Sequence, residues 1–198
     1  MKLIWHGHSC FTLECQDGIV VFDPYKNHTV PGLKNLSLQA NVVLCSHEHS
    51  DHHGIENVEI IEHKQMEIDY IDSYHDQFKG EQRGQNRIYI VQSENMKVVH
   101  MGDQGCLLDD YRKIEGCDVL LIPVGGYYTI NSQEALKMIE LIQPRLVIPM
   151  HYRSEQFGYE EIETIECFMK EAKHVIKYQT NSLIITKDTP QQVAVLKC

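Results

Sequence analysis

The sequence predicts an α/β (α+β) protein in which two packed β-sheets form the centre and helices lie outside them. Three observations lead there. Short apolar runs rich in valine and isoleucine outnumber helical stretches in both halves. The opening segment reads as consecutive strands joined by tight turns. A single twisted sheet holding all of these strands would tend to split into two packed layers.

The elements follow in order. KLIW (2–5), FTLEC (11–15) and GIVVFD (18–23) form an antiparallel meander, with QDG marking the turn between the last two. NVVLCS (41–46) is an apolar run expected to be a buried strand. MEIDYIDSYH (66–75) alternates with period two, so one of its faces is expected to be exposed. RIYIVQ (87–92) and KVVHMGD (97–103) follow, split by the polar turn SEN. CDVLLIPVGG (117–126) reads as a buried strand ending in glycines. NSQEALKMIELIQP (131–144) reads as a helix, with Asn131 as cap, Glu134 at the capping-box position and Pro144 past the end. RLVIPMH (145–151) is another buried strand. GYEEIETIECFMKEAK (158–173) is expected to be a second, amphipathic helix. HVIKYQ, SLIITK and QVAVLK close the chain as short strands.

A chain of 198 residues fits one domain spanning 1–198 and can bury a substantial core. No run approaches the roughly 20 apolar residues needed to cross a bilayer, and MKLIWHGHSC turns polar too soon for a signal peptide. A cytoplasmic protein with no membrane association is the expectation; a homo-oligomer is compatible with it. The net charge of −10 argues against a nucleic-acid partner, which would want a basic stripe. It leaves room for a small-molecule substrate, including an anionic one, because bound metal ions supply local positive charge. Seven cysteines without a C-x-x-C pair or an export signal are not expected to form disulfides. Most are read as small buried apolar residues.

Histidine stands out, with twelve in the chain. Five apolar runs end on a histidine or an aspartate: at Asp23, His47, His75, Asp103 and His151. Functional groups on sheet proteins gather in loops at one edge, carried on rigid strands. If these five ends share an edge, their side chains meet. HEHSDH (47–52) is the densest of them. His47 and His49, two apart in an extended turn, can point the same way. Asp51 and His52 follow as the chain bends toward a helix start, facing a second position. One loop can therefore serve two ions about 3.5–4 Å apart, with Asp103 as a bridge. Imidazole and carboxylate suit zinc, manganese or iron. The strand-end Asp and His elsewhere favour this metal reading over a polar surface turn.

These residues resemble a known family. HEHSDH is similar to the signature of the metallo-β-lactamase-fold hydrolases, and Asp23, His75, Asp103 and His151 match that family's other motif positions in order. WHGHSCF, PVGGYYTINSQEA and VIPMHY look like the branch that includes L-ascorbate-6-phosphate lactonase. The motifs span residues 5 to 152. The resemblance implies a four-layer αββα sandwich and two divalent metal ions per chain, zinc first, with manganese or iron as alternatives. His47, His49 and His75 would hold one ion, and Asp51, His52 and His151 the other. Asp103 would bridge, and Asp23 would orient a ligand through a hydrogen bond. His63 is the nearest rival to His75, which is preferred because it ends a strand and precedes DQFKGEQRG.

The chemistry implied is hydrolysis. Two Lewis-acidic ions turn a bridging water into a hydroxide near neutral pH, which attacks a small ester, lactone or phosphodiester. Asp51 and Asp103 are the catalytic carboxylates of this scheme, with Asp51 orienting the nucleophile or accepting a proton. The alternatives are a nucleic-acid phosphodiesterase, disfavoured by the acidic balance, and a metal-bound redox protein on the same fold, disfavoured by the lack of room for a flavin domain. A purely structural metal site would be closed and usually cysteine-rich.

Around the expected site, His8 in GHS lines the pocket or serves as a structural histidine. Arg83 and Asn86 in RGQN are candidates to grip an anion. Gly125 and Gly126 permit a tight turn that brings Tyr127, Tyr128 and Thr129 to the same edge, with Tyr128 the candidate for substrate contact. His53 is expected to face away, and His100 to lie in the core. His6, His28 and His174 show no partner pattern.

Overall fold

The computed structural model describes residues 1–198. The meander forms as expected: β1 (Lys2–Gly7), β2 (Cys10–Cys15) and β3 (Gly18–Phe22) pair antiparallel, with Trp5 opposite Phe11 and Phe11 opposite Phe22. Two three-residue strands follow, β4 (Leu38–Ala40) and β5 (Val42–Leu44). β5 forms in the apolar run and lies parallel to β3, but only its Leu44 is buried, because β5 is the edge strand of its sheet. A single 3₁₀ turn (Ile55–Asn57) leads to β6 (Val58–Ile60), which pairs with β4 in a small parallel sheet. This small sheet was not visible in the sequence, because three residues are too few to display a period.

The second sheet begins with β7 (Glu67–Tyr74), β8 (Gln85–Ser93) and β9 (Met96–His100), which run antiparallel in sequence. β10 (Val119–Pro123) adds in parallel to β9. The helix α1 (Ser132–Ile142) then crosses over to β11 (Leu146–Met150), parallel to β10. α1 starts where the sequence places it. Asn131 accepts from the backbone of Gln133 and Glu134, and Glu134 bonds back to the Asn131 N–H. This reciprocal capping satisfies donors that the first turn leaves free. Every residue of β10 and β11 is buried, because the first sheet covers one face and α1 the other. The short strands β12 (Val175–Lys177), β13 (Ser182–Ile184) and β14 (Gln192–Val195) close the chain. β13 joins the first sheet beside β1, whereas β12 and β14 extend the second.

The result is a five-stranded sheet, order β13-β1-β2-β3-β5, packed on a seven-stranded sheet, order β12-β14-β11-β10-β9-β8-β7. Leu3, Phe11, Leu13 and Phe22 of the first meet Ile88, Ile90, Val98 and Leu121 of the second in one core. Burial of this apolar area is the main favourable term in folding.

Two further expectations are corrected. The second helix is only Ile165–Met169, α2. Residues 158–164 depart from helix because tertiary bonds take their backbone: Glu163 N–H donates to Gly125, and the Arg153 N–H donates to the Glu163 carbonyl. Gly158, at φ +103, turns the chain into this extended path. The expected sandwich stands, with α1 and α2 packed over the seven-stranded sheet. Over the outer face of the five-stranded sheet lie the 24–37 segment, β4 and β6, packed through Tyr25, Val30, Leu36, Ala40 and Val58. The cysteines divide as well: all seven are free thiols, but only Cys10 and Cys117 are buried. No helix is long and apolar enough to cross a membrane.

Candidate metal centre

Topology brings the strand ends together. β3 and β5 are parallel, so Asp23 and the loop from Ser46 emerge at one edge. β2 runs antiparallel to β3, which puts the β1–β2 turn, with His8, at that same edge. In the second sheet β7 and β9 both run antiparallel to β8, and β9, β10 and β11 are mutually parallel. His75, Asp103 and His151 therefore leave their strands at a common edge. His8, Asp23 and His151 all adopt positive φ (51°, 41° and 52°), a conformation rare outside glycine. Strain of this kind persists where surrounding structure over-determines it, typically at functional sites.

At the centre lies the buried carboxylate of Asp103. Its Oδ1 is 3.1 Å from Nε2 of His52, and its Oδ2 is 3.1 Å from Nε2 of His75 and 3.2 Å from Nε2 of His151. Nε2 of His47 is 3.9 Å away. The ligand atoms fall into compact groups: His47, His49 and His75; His8, Asp51, His52 and His151; and His47, His52 and Asp103 between them. Within each group the atoms lie within 4.8 Å of one another. His49 is exposed, so the first group opens to solvent on its side. His75 rather than His63 reaches the cluster, and His63 is exposed on the loop before β7.

Asp23 sits behind the cluster, fully buried. Its Oδ1 accepts the Ser46 N–H at 2.6 Å, and its Oδ2 accepts the Ser46 hydroxyl at 2.7 Å and Nδ1 of His52 at 2.7 Å. Ser46 Oγ, its one proton committed to Asp23, accepts from Nδ1 of His47 at 2.9 Å. Both imidazoles are thus held with Nδ1 outward and Nε2 aimed at the cluster. Ser46 was not singled out in the sequence, since its partner Asp23 lies 23 residues away.

The electrostatics follow from burial and crowding. Burial, then neighbouring His52, pushes His47 down to about 3. Burial and His151 push His8 down to about 4. Burial opposes a charge on His52, but Asp103, Asp23 and Asp51 together outweigh it and hold its pKa well above the usual range. Asp103 is buried too, yet His151, His52 and His75 keep its carboxyl ionised far below the usual range.

The donor set fits metal ions. Nε2 of His47, Nε2 of His52 and Oδ1 of Asp103 are buried and face one another, and apart from the 3.1 Å ion-pair contact between His52 and Asp103 they have no hydrogen-bond partner. Buried polar atoms are normally satisfied, so three converging orphans ask for an ion. Neutral imidazole and carboxylate are suitable ligands for zinc, manganese or iron.

The remaining expected residues divide. His8 is fully buried, with Nε2 3.2 Å from Asp51 Oδ2. Arg83 reaches the rim, its guanidinium 5.5 Å from the Tyr128 ring centre. Tyr127 is exposed, Tyr128 partly so, and Thr129 is buried. Asn86 is corrected. Its amide is buried and donates to Ser73 Oγ, the Met101 carbonyl and Gln104 Oε1, while its oxygen accepts the Asp103 N–H at 2.9 Å. With its capacity used inside the protein, it positions Asp103 rather than gripping an anion. His100 lies in the core as expected, stacked on Phe22 and bonded to the Ser9 carbonyl at 2.9 Å. Tyr159, missed because its segment read as helix, packs edge-on to His8, and its hydroxyl donates to the Thr29 carbonyl at 3.2 Å.

Comparison with known proteins agrees with this geometry. The family model described as "Beta-lactamase superfamily domain" matches residues 2–151. A UPF0173 metal-dependent hydrolase of Opitutus terrae is 29% identical over 195 residues, covering 78% of this chain and 86% of the relative. A UPF0173 metal-dependent hydrolase of Thermoplasma acidophilum is 27% identical over 190 residues, covering 78% and 84%. Among solved structures, a Thermotoga maritima protein of the metallo-beta-lactamase superfamily superposes with a TM-score of 0.76 at 29% identity, covering 98% of this chain and 97% of that one. A metallo hydrolase of Ignicoccus hospitalis shares the fold, with a TM-score of 0.60 at 21% identity over 82% of this chain and 85% of that one. Two packed sheets, a histidine–aspartate cluster at their common edge and a family match across three quarters of its length place this chain in the β-lactamase superfamily, with the metallo-β-lactamase fold.

Proposed function

We propose that the protein is a metal-dependent hydrolase that uses two divalent ions to cleave a small ester, lactone or phosphodiester. The observation that carries the reading is Asp103, a buried carboxylate whose two oxygens face histidines of both ligand groups. The UPF0173 relatives named as metal-dependent hydrolases support the reaction class. His47, His49 and His75 would hold one ion, Asp51, His52 and His151 the other, and Asp103 would span them. Ions so held would supply Lewis acidity and an activated water near neutral pH. The chain's own residues do the rest. Asp23 and Ser46 fix the ligand imidazoles. Asp51, a member of the second donor group, would orient that water or take up its proton. Arg83 and Tyr128 line the rim, where a guanidinium can hold an anionic substrate group.

The test is elemental analysis of the purified protein and of Asp103→Ala, followed by turnover of matched lactone, ester and phosphodiester panels. About two equivalents of a transition metal per chain, falling sharply in the variant together with turnover, is the expected outcome. Little metal after reconstitution with zinc and with manganese would sink the reading.

A further inference from the structure

We propose that His8 is a further protein ligand at the second metal position, beside Asp51, His52, His151 and the spanning Asp103. The assignment rests on the dinuclear reading above and adds a donor from the β1–β2 turn, an element that contributes nothing else to the cluster.

Four observations carry it. First, Nε2 of His8 belongs to the same compact donor group as Asp51, His52 and His151, all within 4.8 Å of one another. For metal–ligand bonds of about 2.0–2.2 Å, neighbouring donors of a six-coordinate ion sit about 3 Å apart and opposite ones about 4.3 Å apart. The 3.2 Å from His8 Nε2 to Asp51 Oδ2 has the length of such an edge. Second, His8 shares the bonding pattern of two other cluster histidines. In His8, His75 and His151 alike, Nε2 points at a carboxylate oxygen at 3.1–3.2 Å and Nδ1 is buried without a partner. Third, the ring is held firmly. It lies 4.1 Å, centre to centre, from His151 and 5.3 Å from His52, with Tyr159 edge-on at 5.7 Å. Fourth, His8 opens the two-residue turn between β1 and β2 at φ 51°, a conformation such hairpin turns use, so its direction is fixed by the backbone of the meander.

The consequence is a crowded second position. Five protein donors plus a water make a six-coordinate shell, which suits manganese or ferrous iron better than the four-coordinate geometry zinc prefers. The two positions should then differ in metal preference, with the ligand-rich one favouring the metal of higher coordination number.

The experiment is a chelator-competition titration of Mn²⁺ into the full-length protein, resolving the two equivalents, for wild type, His8→Ala and His8→Gln. Glutamine can still donate a hydrogen bond to Asp51 but is a poor ligand. Removing a partner that only orients a ligand costs about 10–100-fold in affinity, so removing a ligand should cost at least about tenfold. Both variants should weaken the second equivalent by that factor and leave the first unchanged, which also shows that they fold. In the Co²⁺-loaded protein, the second equivalent's visible absorption should intensify in both variants as the coordination number drops. Wild-type affinity in His8→Gln would overturn the assignment and leave His8 a hydrogen-bonding partner of Asp51. Loss of both equivalents together would overturn it in favour of a general structural role. A wild type that binds two equivalents, with both variants unchanged, overturns the His8 assignment alone. A wild type that binds only one overturns the dinuclear reading as well.

Discussion

Asp23 Oδ2 lies 2.7 Å from Nδ1 of His52, and the same oxygen receives the Ser46 hydroxyl that in turn holds Nδ1 of His47. One fully buried carboxylate therefore sets the direction of a histidine in each donor group. Asp23→Ala should lower metal affinity by about 10–100-fold without removing any ligand. It also strips partners from the His52 N–H and from Ser46, at about 1–3 kcal/mol for each buried group left unpaired. Chelator competition and denaturant unfolding of the metal-free protein measure the two effects separately. Unchanged affinity would mean that packing alone orients the imidazoles.

The site was more legible in the sequence than the chain around it, for a physical reason. The clustered residues sit at strand ends, and an apolar strand ending abruptly in His or Asp is a local pattern: NVVLCSHEH and KVVHMGD each display it within ten residues. Ser46 and Tyr159 act through partners 23 and 130 residues away, a relationship no local window contains. The periodicity of 158–173 predicted a helix that backbone bonds to Gly125 and Arg153 forbid in its first half. Asn86 looked like a free polar loop residue until β8 extended back to Gln85 and buried it. α1 was legible because its signals, cap, capping-box acid and following proline, are all local.

Proton competition should make metal binding strongly pH-dependent. In the metal-free protein His52 holds its proton well above the usual histidine range: burial opposes the charge, but Asp103, Asp23 and Asp51 outweigh it. A metal ligand must present a lone pair, so loading the second position expels that proton. Affinity should rise with pH, by up to about tenfold per unit below the raised pKa for a one-proton exchange. The sign for stability differs. The raised His52 pKa stabilises the metal-free fold below its unfolded value of about 6.5, and this is lost as pH climbs through the folded value. Asp103 and Asp51, both held down, contribute above about 3.9, and theirs is lost on acidification through their depressed pKa values. Calorimetric titration of metal in two buffers of different ionisation enthalpy counts the protons released. A count near zero would sink this account.

The loop after His75 is organised by its neighbour. The Asp76 carboxylate accepts the backbone N–H groups of Phe78, Gly80, Gln82 and Arg83 at 2.7–3.0 Å. Arg83, the last of these four donors, reaches Tyr128 across the rim without a carboxylate partner of its own. Asp76→Ala should accelerate amide exchange at those four positions and raise KM for anionic substrates. Arg83→Ala should raise KM for the same substrates by about 10–100-fold, from the loss of a charge-assisted hydrogen bond worth about 1.5–3 kcal/mol, and leave a neutral ester unaffected. Equal effects on charged and neutral substrates would assign the loop a purely structural role.

Gly105 tests how closely the Asp103 and His75 loops must approach. A Cβ at this position would lie 2.2 Å from the His75 carbonyl carbon and 2.3 Å from the Asp76 nitrogen, both backbone atoms that cannot swing aside. The Gly105 N–H also donates to the Tyr74 carbonyl at 2.9 Å, tying the two loops at the point of contact. Gly105→Ala must therefore separate them, drawing His75 away from the Asp103 oxygen it faces at 3.1 Å. Overpacking of this kind costs about 1–3 kcal/mol of stability. The first metal equivalent should weaken more than the second, since His75 belongs to the first donor group only. Gly116 supplies the control. It adopts φ +62 with nothing within 4 Å of its would-be Cβ, so alanine there meets backbone strain alone, about 1–2 kcal/mol. Gly116→Ala should lower the melting temperature and leave both metal affinities at wild-type values. If Gly105→Ala behaves the same way, the loops have slack that the close approach of their backbones argues against.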